Sequence, residues 1–324
     1  MNKIAVTGAN GFVGSNLVRK LMKNGHQVKC LVRAGSDLSL LPENADIYKI
    51  DYHDLKEIAE VLHDCEIIIH NAALTRAKSW KAFQKINVNL TETLTQIAAN
   101  NINTKRFIFI SSQAAAGPAS GPDDPVQEND DPHPVSWYGK SKLLAEQAVK
   151  NSRLPFTIIR PVSVFGPGDK DFLEYFRMIK NHLAAFIGFK SKFISLVFVE
   201  DLVEIIYRSL ENKQTENEIL FAASTPQISM QEFVNTLKKI MHSKTIDLHL
   251  PHFLIDIAAL FSELASFFSI KPPILNKQKA KEFKQRYWLV DDTKMKNLLS
   301  FEPELTLQEQ IKKTFEWYKN KGWL

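Results

Sequence analysis

The sequence predicts an α/β fold in which a doubly wound parallel sheet is followed by a smaller, mixed α/β domain. Three observations predict it. Three glycines stand between an apolar run and a helix-like segment near the start of the chain. Short apolar runs then alternate with helix-like segments as far as residue 223, which is the β-α-β pattern of a parallel sheet. Beyond residue 223 mostly helical segments follow, so a second domain is expected there.

The expected elements of the first domain follow from this alternation. The strand-like segments, in chain order, are KIAVT, QVKCLV, DIYKI, EIIIH, RFIFIS, FTIIR and EILFAA. Helices are expected after the first strand, from Asp54, near Ala82–Ala99 and from near Trp137, with a polar loop at Gly117–Pro134.

The glycine turn reads TGANGFVG, from Thr7 to Gly14. Ile4–Val6 before it suit a buried strand, and the apolar residues after it recur at helical spacing. A strand-to-helix turn explains the glycines: Gly8 can take a φ that other residues avoid, Gly11 lets a ligand approach the backbone, and Gly14 lets the helix pack close to the sheet. The free N–H groups of that helix favour a phosphate. A purely structural turn is the alternative.

A tyrosine and a lysine four positions apart occur in YGKSK. Tyr138 and Lys142 would lie on one helix face, one turn apart. A tyrosine with a pKa near ~10 needs a shift of about three units, roughly 4 kcal/mol, to act as a general acid or base near neutral pH. A lysine charge ~4 Å away, at an effective dielectric constant of about 20, supplies that amount. The alternative is two ordinary surface residues, but SSQAAAG (Ser111–Gly117) lies at a predicted strand end, where ligands bind in open parallel sheets.

These motifs together carry a family resemblance. The glycine turn, the serine pair and Y-x-x-x-K occur in the order and at the separations of the extended short-chain dehydrogenases/reductases. The chain looks most similar to the NAD-dependent epimerase/dehydratase family and to its dihydroflavonol reductase-like and 3β-hydroxysteroid dehydrogenase-like members. The resemblance implies a Rossmann-type NAD(P)-binding domain (residues 1–165 and 198–223) and a substrate-binding domain (residues 166–197 and 224–324).

The resemblance also implies which residues are catalytic. Tyr138 matches the catalytic tyrosine, and Lys142 matches the lysine that lowers its pKa and holds the nicotinamide ribose. Ser112 matches the hydroxyl that hydrogen-bonds the reacting carbonyl oxygen, and Ser111 is less suitable because Ser112 has the family's usual distance to the following glycine. Asn87 matches an asparagine of a V-N-x-x-G-T motif from which the next residues depart, so a helix-packing role is equally compatible.

A cofactor site at successive strand ends is implied in the same way. The glycine turn would hold the pyrophosphate, the end of the third strand would meet the adenine, and the segments after the fourth and sixth strands would lie along the ribose and nicotinamide. The implied cofactor residues are Gly8, Asn10, Gly11, Phe12, Val13, Gly14, Asp51, Tyr52, Asn71, Ala72, Ala73, Pro161 and Val162, together with Tyr138 and Lys142. The alternatives are a helix cap at Asp51 and a turn former at Asn71.

Arg33 bears on the choice of dinucleotide. About 20 residues after the glycine fingerprint, NAD-binding proteins present Asp or Glu to the ribose 2′-hydroxyl, whereas an Arg accommodates a 2′-phosphate. This chain has Arg33 at the end of CLVR, followed by Ser36. We therefore predict NADP as the cofactor, with NAD as the alternative because Arg can also stack on adenine.

The substrate class is suggested by departures from the family pattern. Sugar-nucleotide epimerases of the family commonly carry a basic residue shortly before a His-Val-x-Asp segment. In FISLVFVEDL, Phe198 stands at the His position and Ile194 stands where Arg is often found, which suits a less charged carbonyl or alcohol. Lys190 or Lys192 could compensate. His133, near the catalytic helix, is either a solvated loop residue or a substrate contact.

Three functions are compatible with these features. The first is an NAD(P)-dependent oxidoreductase that moves a hydride between nicotinamide and a carbonyl or alcohol. The second is a nucleotide-sugar epimerase or dehydratase that does not consume its cofactor. The third is a non-catalytic NAD(P)-binding redox sensor, against which the intact serine, tyrosine and lysine argue. A small molecule is the expected partner, and a homodimer would fit the family.

Composition excludes several other classes. The net charge of +5 is mild and the basic residues are scattered, which disfavours nucleic-acid binding. Cys30 and Cys65 lie in apolar surroundings without metal-ligand spacing, so we predict buried thiols and a cytoplasmic location. No metal site is expected, because the histidines at 53, 63 and 70 lie on different predicted elements without ligand spacing. The apolar stretch Pro251–Ile270 is interrupted by Asp256 and Glu263, so a core helix is expected instead of a membrane span. A surface-bound helix is disfavoured because its polar face carries no basic residue.

Overall fold

The structure is a computed structural model that describes residues 2–225, 227–266, 273 and 275–324. Its strands, in chain order, are β1 (Lys3–Thr7), β2 (Gln27–Val32), β3 (Asp46–Lys49), β4 (Ile67–His70), β5 (Arg106–Ile110), β6 (Phe156–Pro161), β7 (Ser163–Phe165), β8 (Leu183–Ile187), β9 (Phe193–Ile194), β10 (Leu196–Phe198), β11 (Glu218–Ala222), β12 (Ile228–Ser229), β13 (Ile246–Leu250) and β14 (Tyr287–Trp288). Its α-helices are α1 (Phe12–Lys23), α2 (Leu55–Leu62), α3 (Trp80–Phe83), α4 (Leu90–Ala99), α5 (Gln113–Ala116), α6 (Trp137–Lys150), α7 (Leu173–Lys180), α8 (Val199–Ser209), α9 (Met230–Ile240), α10 (His252–Ser266), α11 (Lys277–Lys284), α12 (Thr293–Leu299) and α13 (Leu307–Asn320).

Seven parallel strands form the central sheet, in the order β3-β2-β1-β4-β5-β6-β11. The chain starts in the middle, at β1, winds to one edge and then returns to wind to the other. In such a sheet, ligands bind outside the carboxyl ends of the strands where the strand order reverses, here between β1 and β4. The predicted doubly wound α/β class is confirmed.

Alternating side chains of the strands build an apolar cluster on each face of the sheet. Ile4 and Val6 pack with Leu17 of α1 on one face, whereas Ala5 packs with Ile58 of α2 on the other. All five side chains are fully buried. A buried aliphatic side chain contributes about 1.5–3 kcal/mol, so the two faces hold the carboxyl strand ends firmly in register with the helices that follow them.

A smaller lobe surrounds a third apolar cluster. Its secondary structure consists of the pair β7–β10, the sheet β12-β9-β14, the pair β13–β8, and the helices α7, α9 and α13. Tyr318 is fully buried there and stacks with Trp323 at 6.0 Å between ring centroids. Apolar residues between positions 289 and 301 pack instead with the cluster on the α1 face of the sheet. The division into a cofactor domain and a substrate domain stays a prediction.

Two segments differ from expectation in ways that matter for function. The helix expected near Ala82–Ala99 begins at Trp80 as α3, continues as a π-helical segment at Gln84–Asn89, and ends as α4. The core helix expected within Pro251–Ile270 is wrong for its described part, because α10 leaves a broad apolar face exposed; residues 267–270 lie outside the described residues. In the described part of the chain, every helix is too short or too polar to cross a membrane.

Candidate functional site

The glycine turn joins β1 to α1 through close backbone contacts. Gly8 has a φ of +65°, in the left-handed region that favours glycine. A Cβ atom at Gly14 would lie 2.1 Å from the Gly8 carbonyl oxygen, so α1 can approach the end of β1 only with glycine at position 14. Gly11 precedes Phe12 and Val13, the first residues of α1, and has no side chain to cap the helix. The first amides of α1 are therefore available to an anion.

Arg33 and Asn10 lie at the loop that follows β2. The Asn10 side-chain amide donates to the Asp37 carbonyl at 3.0 Å, which ties the glycine turn to the loop after β2. Arg33 directly follows β2 and is exposed. Burial raises the pKa of Tyr52. A hydrogen bond of Tyr52 with the Gly8 backbone and the charge of Arg33 both act to lower this pKa. Tyr52 therefore lies close to both Arg33 and the glycine turn.

Asp51 lies in the turn after β3. Its carboxylate accepts the amide of His53 at 2.9 Å, and its own amide donates to the Glu57 carboxylate at 2.9 Å. The cap of α2 is Asp54, which accepts the amides of Lys56 and Glu57. The helix-cap alternative for Asp51 is therefore wrong, and its contact with adenine stays a prediction.

Thr7, the last residue of β1, holds the segment after β4 beside the glycine turn. Its hydroxyl oxygen accepts the amides of Asn71 at 3.2 Å and Ala72 at 3.1 Å. The Asn71 side-chain amide donates to the Gly8 carbonyl at 3.3 Å, and a Cβ atom at Gly8 would lie 2.9 Å from Ala72 Cα. Asn71 and Ala72 thus adjoin the turn, and the contact of Asn71–Ala73 with the ribose and nicotinamide stays a prediction. Thr7 was not identified as a site residue from the sequence, although a polar residue at the end of an apolar strand could have indicated one.

His70 is a buried part of the same network. Its Nδ1 lies 2.7 Å from the Thr7 hydroxyl oxygen and its Nε2 lies 3.0 Å from the Thr91 hydroxyl oxygen. The Thr91 hydroxyl donates to the Asn87 carbonyl at 2.7 Å, so it accepts from His70, and the hydrogen-bond pattern assigns the ring proton to Nε2. Burial and the nearby Lys142 charge lower the pKa of His70 to about 3. The imidazole is therefore neutral at neutral pH.

We expect His70 to make the fold sensitive to mild acid. A histidine with a depressed pKa contributes stability that is complete above its unfolded pKa of about 6.5 and is lost as the pH falls towards the folded value. Between about pH 6.5 and pH 4.5 the loss amounts to about 2–3 kcal/mol. Urea unfolding of the wild type and of His70→Gln across this range measures it, and equal pH slopes in the two proteins would contradict the assignment.

Asn87 connects the segment after β4 to the helix α6. Its side-chain oxygen accepts the Leu74 amide at 2.8 Å, and its side-chain amide donates to the Leu74 carbonyl at 2.9 Å and to the Ser141 hydroxyl at 2.9 Å. Asn87 is buried and lies in the π-helical segment. These contacts favour the packing role over a direct active-site role, because both ends of the amide are already bonded.

The two serines after β5 have different surroundings. Ser111 is buried and donates to the Glu146 carboxylate at 2.5 Å, and the same carboxylate forms a bidentate ion pair with Arg160 at 2.9 and 2.7 Å. Ser112 is partly exposed and caps the short helix α5 by accepting the Ala114 amide at 3.1 Å. Ser111 is therefore part of a structural network, and the choice of Ser112 as the site hydroxyl stays the better prediction.

Tyr138 lies in the first turn of α6, which Ser136 caps. Its ring packs against Phe83 at 6.3 Å between centroids, and its hydroxyl is close enough to the Ser112 side chain for Ser112 to affect its pKa. Burial raises the pKa of Tyr138 to about 12; the Ser112 hydrogen bond acts to lower it and the charge of Glu282 acts to raise it further. The phenol is therefore protonated at neutral pH.

The structure does not support the expectation that Lys142 lowers the pKa of Tyr138. Lys142 Nζ donates to the Ile110 carbonyl at 2.6 Å and lies 4.2 Å from the centroid of the Phe109 ring. Burial lowers the pKa of Lys142 itself to about 7, and the carboxylate of Glu146 only partly offsets this effect. The ammonium is therefore directed at the end of β5, and at neutral pH only part of the population carries the charge that the electrostatic argument requires.

The remaining predicted cofactor residues lie at the end of β6. Pro161 is the last residue of this strand and pairs in register with Ala222 of β11. The amide of Val162 donates to the Ala222 carbonyl at 3.2 Å, and its side chain is buried. Both residues therefore lie at the carboxyl edge of the sheet, as do the segments after β1, β4 and β5.

The residues considered for the substrate side are mostly buried or bonded. Phe198 and Ile194 are buried in the apolar cluster of the smaller lobe. Lys192 donates to the Phe283 carbonyl, and burial lowers its pKa to about 8. His133 Nε2 lies 2.8 Å from the Pro118 carbonyl oxygen, so this histidine holds the loop before α6.

Two further residues near Tyr138 were not predicted from the sequence. Glu282 of α11 accepts from the Ser136 hydroxyl at 2.5 Å and is buried. Gln113 follows Ser112 and is buried, and its side-chain nitrogen has no partner among the described residues. Adjacency to Ser112 could have pointed to Gln113, but no local signal links Glu282 to α6. Among the described residues, no group of three or more His, Cys, Asp or Glu side chains could hold a metal ion.

Comparison with known proteins places this geometry in a family context. Residues 4–222 match the NAD dependent epimerase/dehydratase family. The UDP-glucose 4-epimerase of Vibrio cholerae is 30% identical over 322 residues, covering 96% of this chain and 94% of the epimerase. The ceramide reductase of Caulobacter vibrioides is 23% identical over 322 residues, covering 99% and 96% of the two chains.

Solved structures agree on the fold. MoeE5, in complex with UDP-glucuronic acid and NAD, superposes with a TM-score of 0.78 at 21% identity, and the match covers 98% of this chain and 99% of MoeE5. The named relatives perform different reactions, so the comparisons leave the reaction open. Because the family match runs from β1 to the end of β11 and so includes the whole central sheet, this chain belongs to the NAD dependent epimerase/dehydratase family of extended short-chain dehydrogenases/reductases.

Proposed function

We propose that this chain is an NAD(P)-dependent oxidoreductase that reduces a carbonyl, or oxidises the matching alcohol, with Ser112, Tyr138 and Lys142 as catalytic residues. One observation carries the proposal. The Ser112 side chain is close enough to the Tyr138 hydroxyl to lower its pKa, and Lys142 Nζ donates to the carbonyl of Ile110 at the end of β5. All three residues lie near the carboxyl edge of the sheet, the edge that also carries the glycine turn, and this common location supports the proposal.

The residues on this edge fit a dinucleotide. The left-handed backbone at Gly8 and the uncapped start of α1 suit a pyrophosphate. Asn71–Ala73 adjoin the turn and continue the surface towards α6 through the contact of Asn87 with Ser141. When bound, the nicotinamide would supply or accept the hydride.

Tyr138 is suited to donate a proton. With a pKa of about 12 its phenol is protonated at neutral pH, which is the form needed beside an oxygen that gains negative charge as a carbonyl is reduced. Ser112 would donate a second hydrogen bond to the same oxygen, and a protonated Lys142 would stabilise the phenolate left behind. The protonation state of Tyr138 therefore favours the direction of reduction.

The proposed substrate is less charged than a nucleotide sugar. Phe198 and Ile194 replace the His and Arg of the epimerase pattern, and both are buried in the apolar cluster of the smaller lobe. Neither side chain offers a donor to a diphosphate, so these positions favour an apolar carbonyl compound.

A nucleotide-sugar epimerase is the second candidate. The identity of 30% with the Vibrio cholerae UDP-glucose 4-epimerase, over 96% of this chain, favours it. In that reaction the same tyrosine would remove a proton from a sugar hydroxyl and later return it, and the cofactor would stay bound through both half-reactions.

The nucleotide carried by the purified protein distinguishes the two candidates. The protein is denatured, the released nucleotide is identified, and the remaining apo protein is titrated with NADPH and with NADH. A protein that is largely empty and binds NADPH supports the reductase. Stoichiometric release of NAD, together with conversion of UDP-glucose to UDP-galactose, would refute the reductase and support the epimerase. No affinity for either nucleotide would refute both.

We expect Arg33 to select NADPH. In Arg33→Asp the affinity for NADPH should fall by about 10–100-fold, because a charge-assisted hydrogen bond of about 1.5–3 kcal/mol is replaced by repulsion of the 2′-phosphate. The affinity for NADH should change less than about threefold, since NADH carries no such phosphate. Fluorescence titration measures both. Lys312→Asp, an exposed change of the same charge on α13, is the matched control. An unchanged NADPH to NADH ratio in Arg33→Asp would remove this role.

A further inference from the structure

The helix α10 turns its apolar side towards solvent. Its large exposed apolar side chains are Phe253, Leu254, Ile257, Leu260, Phe261 and Leu264. At about 100° per residue they occupy about 120° of the helix circumference. Globular proteins usually direct such an arc at their core, but here Phe253 is 59% and Phe261 is 66% exposed. We name the six side chains the α10 face.

The opposite side of α10 is fixed to the protein. Ile255 and Ala259 are buried and pack with Ala280 of α11. Lys284 donates to the Asp256 carboxylate at 2.6 Å, and the Glu263 carboxylate accepts the amide of Lys277 at 2.8 Å. The polar groups of the helix are therefore engaged in holding it, and the α10 face is presented in a defined orientation.

The apolar surface extends beyond the helix. Phe189, in the loop after β8, is 74% exposed. The loop lies against the start of α10, because a Cβ atom at Gly188 would be 2.4 Å from His252 Nε2. Phe283 of α11 is also exposed. Exposed apolar side chains thus occur on α10 and on two segments that contact it, and exposed apolar patches mark interaction sites.

Basic residues are in excess in α10 and the segments that contact it, although α10 itself carries none. The segments 189–192, 252–266 and 277–286 contain seven Lys or Arg and three Asp or Glu residues. Lys192 donates to the Phe283 carbonyl, and Lys78 donates to the Ser266 carbonyl at 2.6 Å at the end of α10. The absence of basic residues on the polar face of α10 had argued against a surface-bound helix, and neighbouring segments supply them.

We propose that the α10 face binds the surface of an anionic lipid bilayer. Phenylalanine and leucine side chains on an exposed helix face insert at the boundary between headgroups and acyl chains, and lysines around them attract anionic headgroups. The apolar face and the excess of basic residues together match this surface, whereas a second copy of this chain would present the same positive charge. The 15-residue α10 lies in the interface and does not cross the bilayer.

The docking face lies beside the candidate active site. Gln278 of α11 accepts the amide of Trp137, the first residue of α6, at 3.1 Å. Glu282 of α11 accepts from the Ser136 hydroxyl that caps α6. Membrane binding would therefore hold the helix that carries Tyr138 close to the bilayer surface.

Vesicle sedimentation of the full chain tests the proposal. Vesicles of phosphatidylcholine mixed with phosphatidylglycerol should carry the wild type into the pellet, and binding should weaken with added salt. Vesicles of phosphatidylcholine alone should bind much less. The double variant Phe253→Ser/Phe261→Ser should bind the mixed vesicles at least tenfold more weakly. Ile102→Ser is the matched control, since Ile102 is 96% exposed in the turn before β5, at the opposite end of the sheet.

Three results would overturn the proposal. The wild type could stay in the supernatant with mixed vesicles. The double variant could bind as well as the wild type while Ile102→Ser also binds unchanged. In the third result, the wild type forms a dimer in sedimentation velocity, the double variant does not, and neither binds vesicles. A second copy of the chain would then cover the α10 face. Circular dichroism melting of the double variant, which we expect to match that of the wild type, shows that any lost binding is not lost folding.

Discussion

Replacing Tyr138 with phenylalanine should lower kcat by about 10²–10⁴-fold while cofactor affinity changes less than about threefold. The substitution keeps the ring, which packs against Phe83 at 6.3 Å between centroids, and removes only the hydroxyl that lies within reach of Ser112. Without this hydroxyl no proton donor stands beside the developing alkoxide. Steady-state turnover with the best carbonyl substrate, together with NADPH titration, separates the loss of chemistry from a loss of binding.

Tyr207→Phe is the matched control for this prediction. Tyr207 is in α8, where Lys20 lies 5.1 Å from its ring centroid, and it packs on the face of the sheet opposite to α6. We expect this variant to keep full activity. If Tyr138→Phe retained more than about a tenth of the wild-type kcat, the proton-transfer role of Tyr138 would be refuted, because general acid catalysis accounts for a larger factor.

The pH profile adds a second readout. Burial lowers the pKa of Lys142 to about 7, so its ammonium loses charge as the pH rises through neutrality. If a protonated Lys142 stabilises the phenolate of Tyr138, kcat for reduction declines on the alkaline side of about pH 7. If Lys142 serves only to hold the Ile110 carbonyl, kcat shows no such decline on the alkaline side.

The sequence predicted the fold because its signals are local. Buried strands such as Ile67–His70 are short apolar runs. Gly8 is required by its left-handed φ, and Gly14 is required because a Cβ atom there would lie 2.1 Å from the Gly8 carbonyl oxygen. The preference for Ser112 over Ser111 comes from the family resemblance, and the structure supplies a physical reason for it, since Ser111 is bonded to Glu146.

Other features depend on residues far apart in the chain. Glu282 contacts Ser136 across 146 positions, and no motif marks the pair. The position of Lys142 Nζ depends on the carbonyl of Ile110 and the ring of Phe109, so Y-x-x-x-K spacing alone could not predict the pKa of its lysine. An apolar run such as α10 likewise does not reveal which of its sides the rest of the protein covers.

Glu146 and Arg160 form a buried ion pair, and removing one partner should strongly destabilise the fold. In Glu146→Leu we expect the free energy of unfolding to fall by about 3–5 kcal/mol, because Arg160 would be left buried and uncompensated. Both side chains are almost completely buried and joined by two hydrogen bonds, and the Ser111 hydroxyl donates to the same carboxylate. Urea unfolding measures the change.

The double variant Glu146→Leu/Arg160→Met tests the cause of that loss. Replacing both charges by apolar side chains of similar volume removes the uncompensated charge, so stability should return to within about 1–2 kcal/mol of the wild type. Equal losses in the single and double variants would contradict this explanation and would point to packing instead.

The pair also bears on the candidate site, because Glu146 favours the charged form of Lys142. Without Glu146 the pKa of Lys142 falls below about 7, and the alkaline decline of kcat moves to lower pH even in the stable double variant.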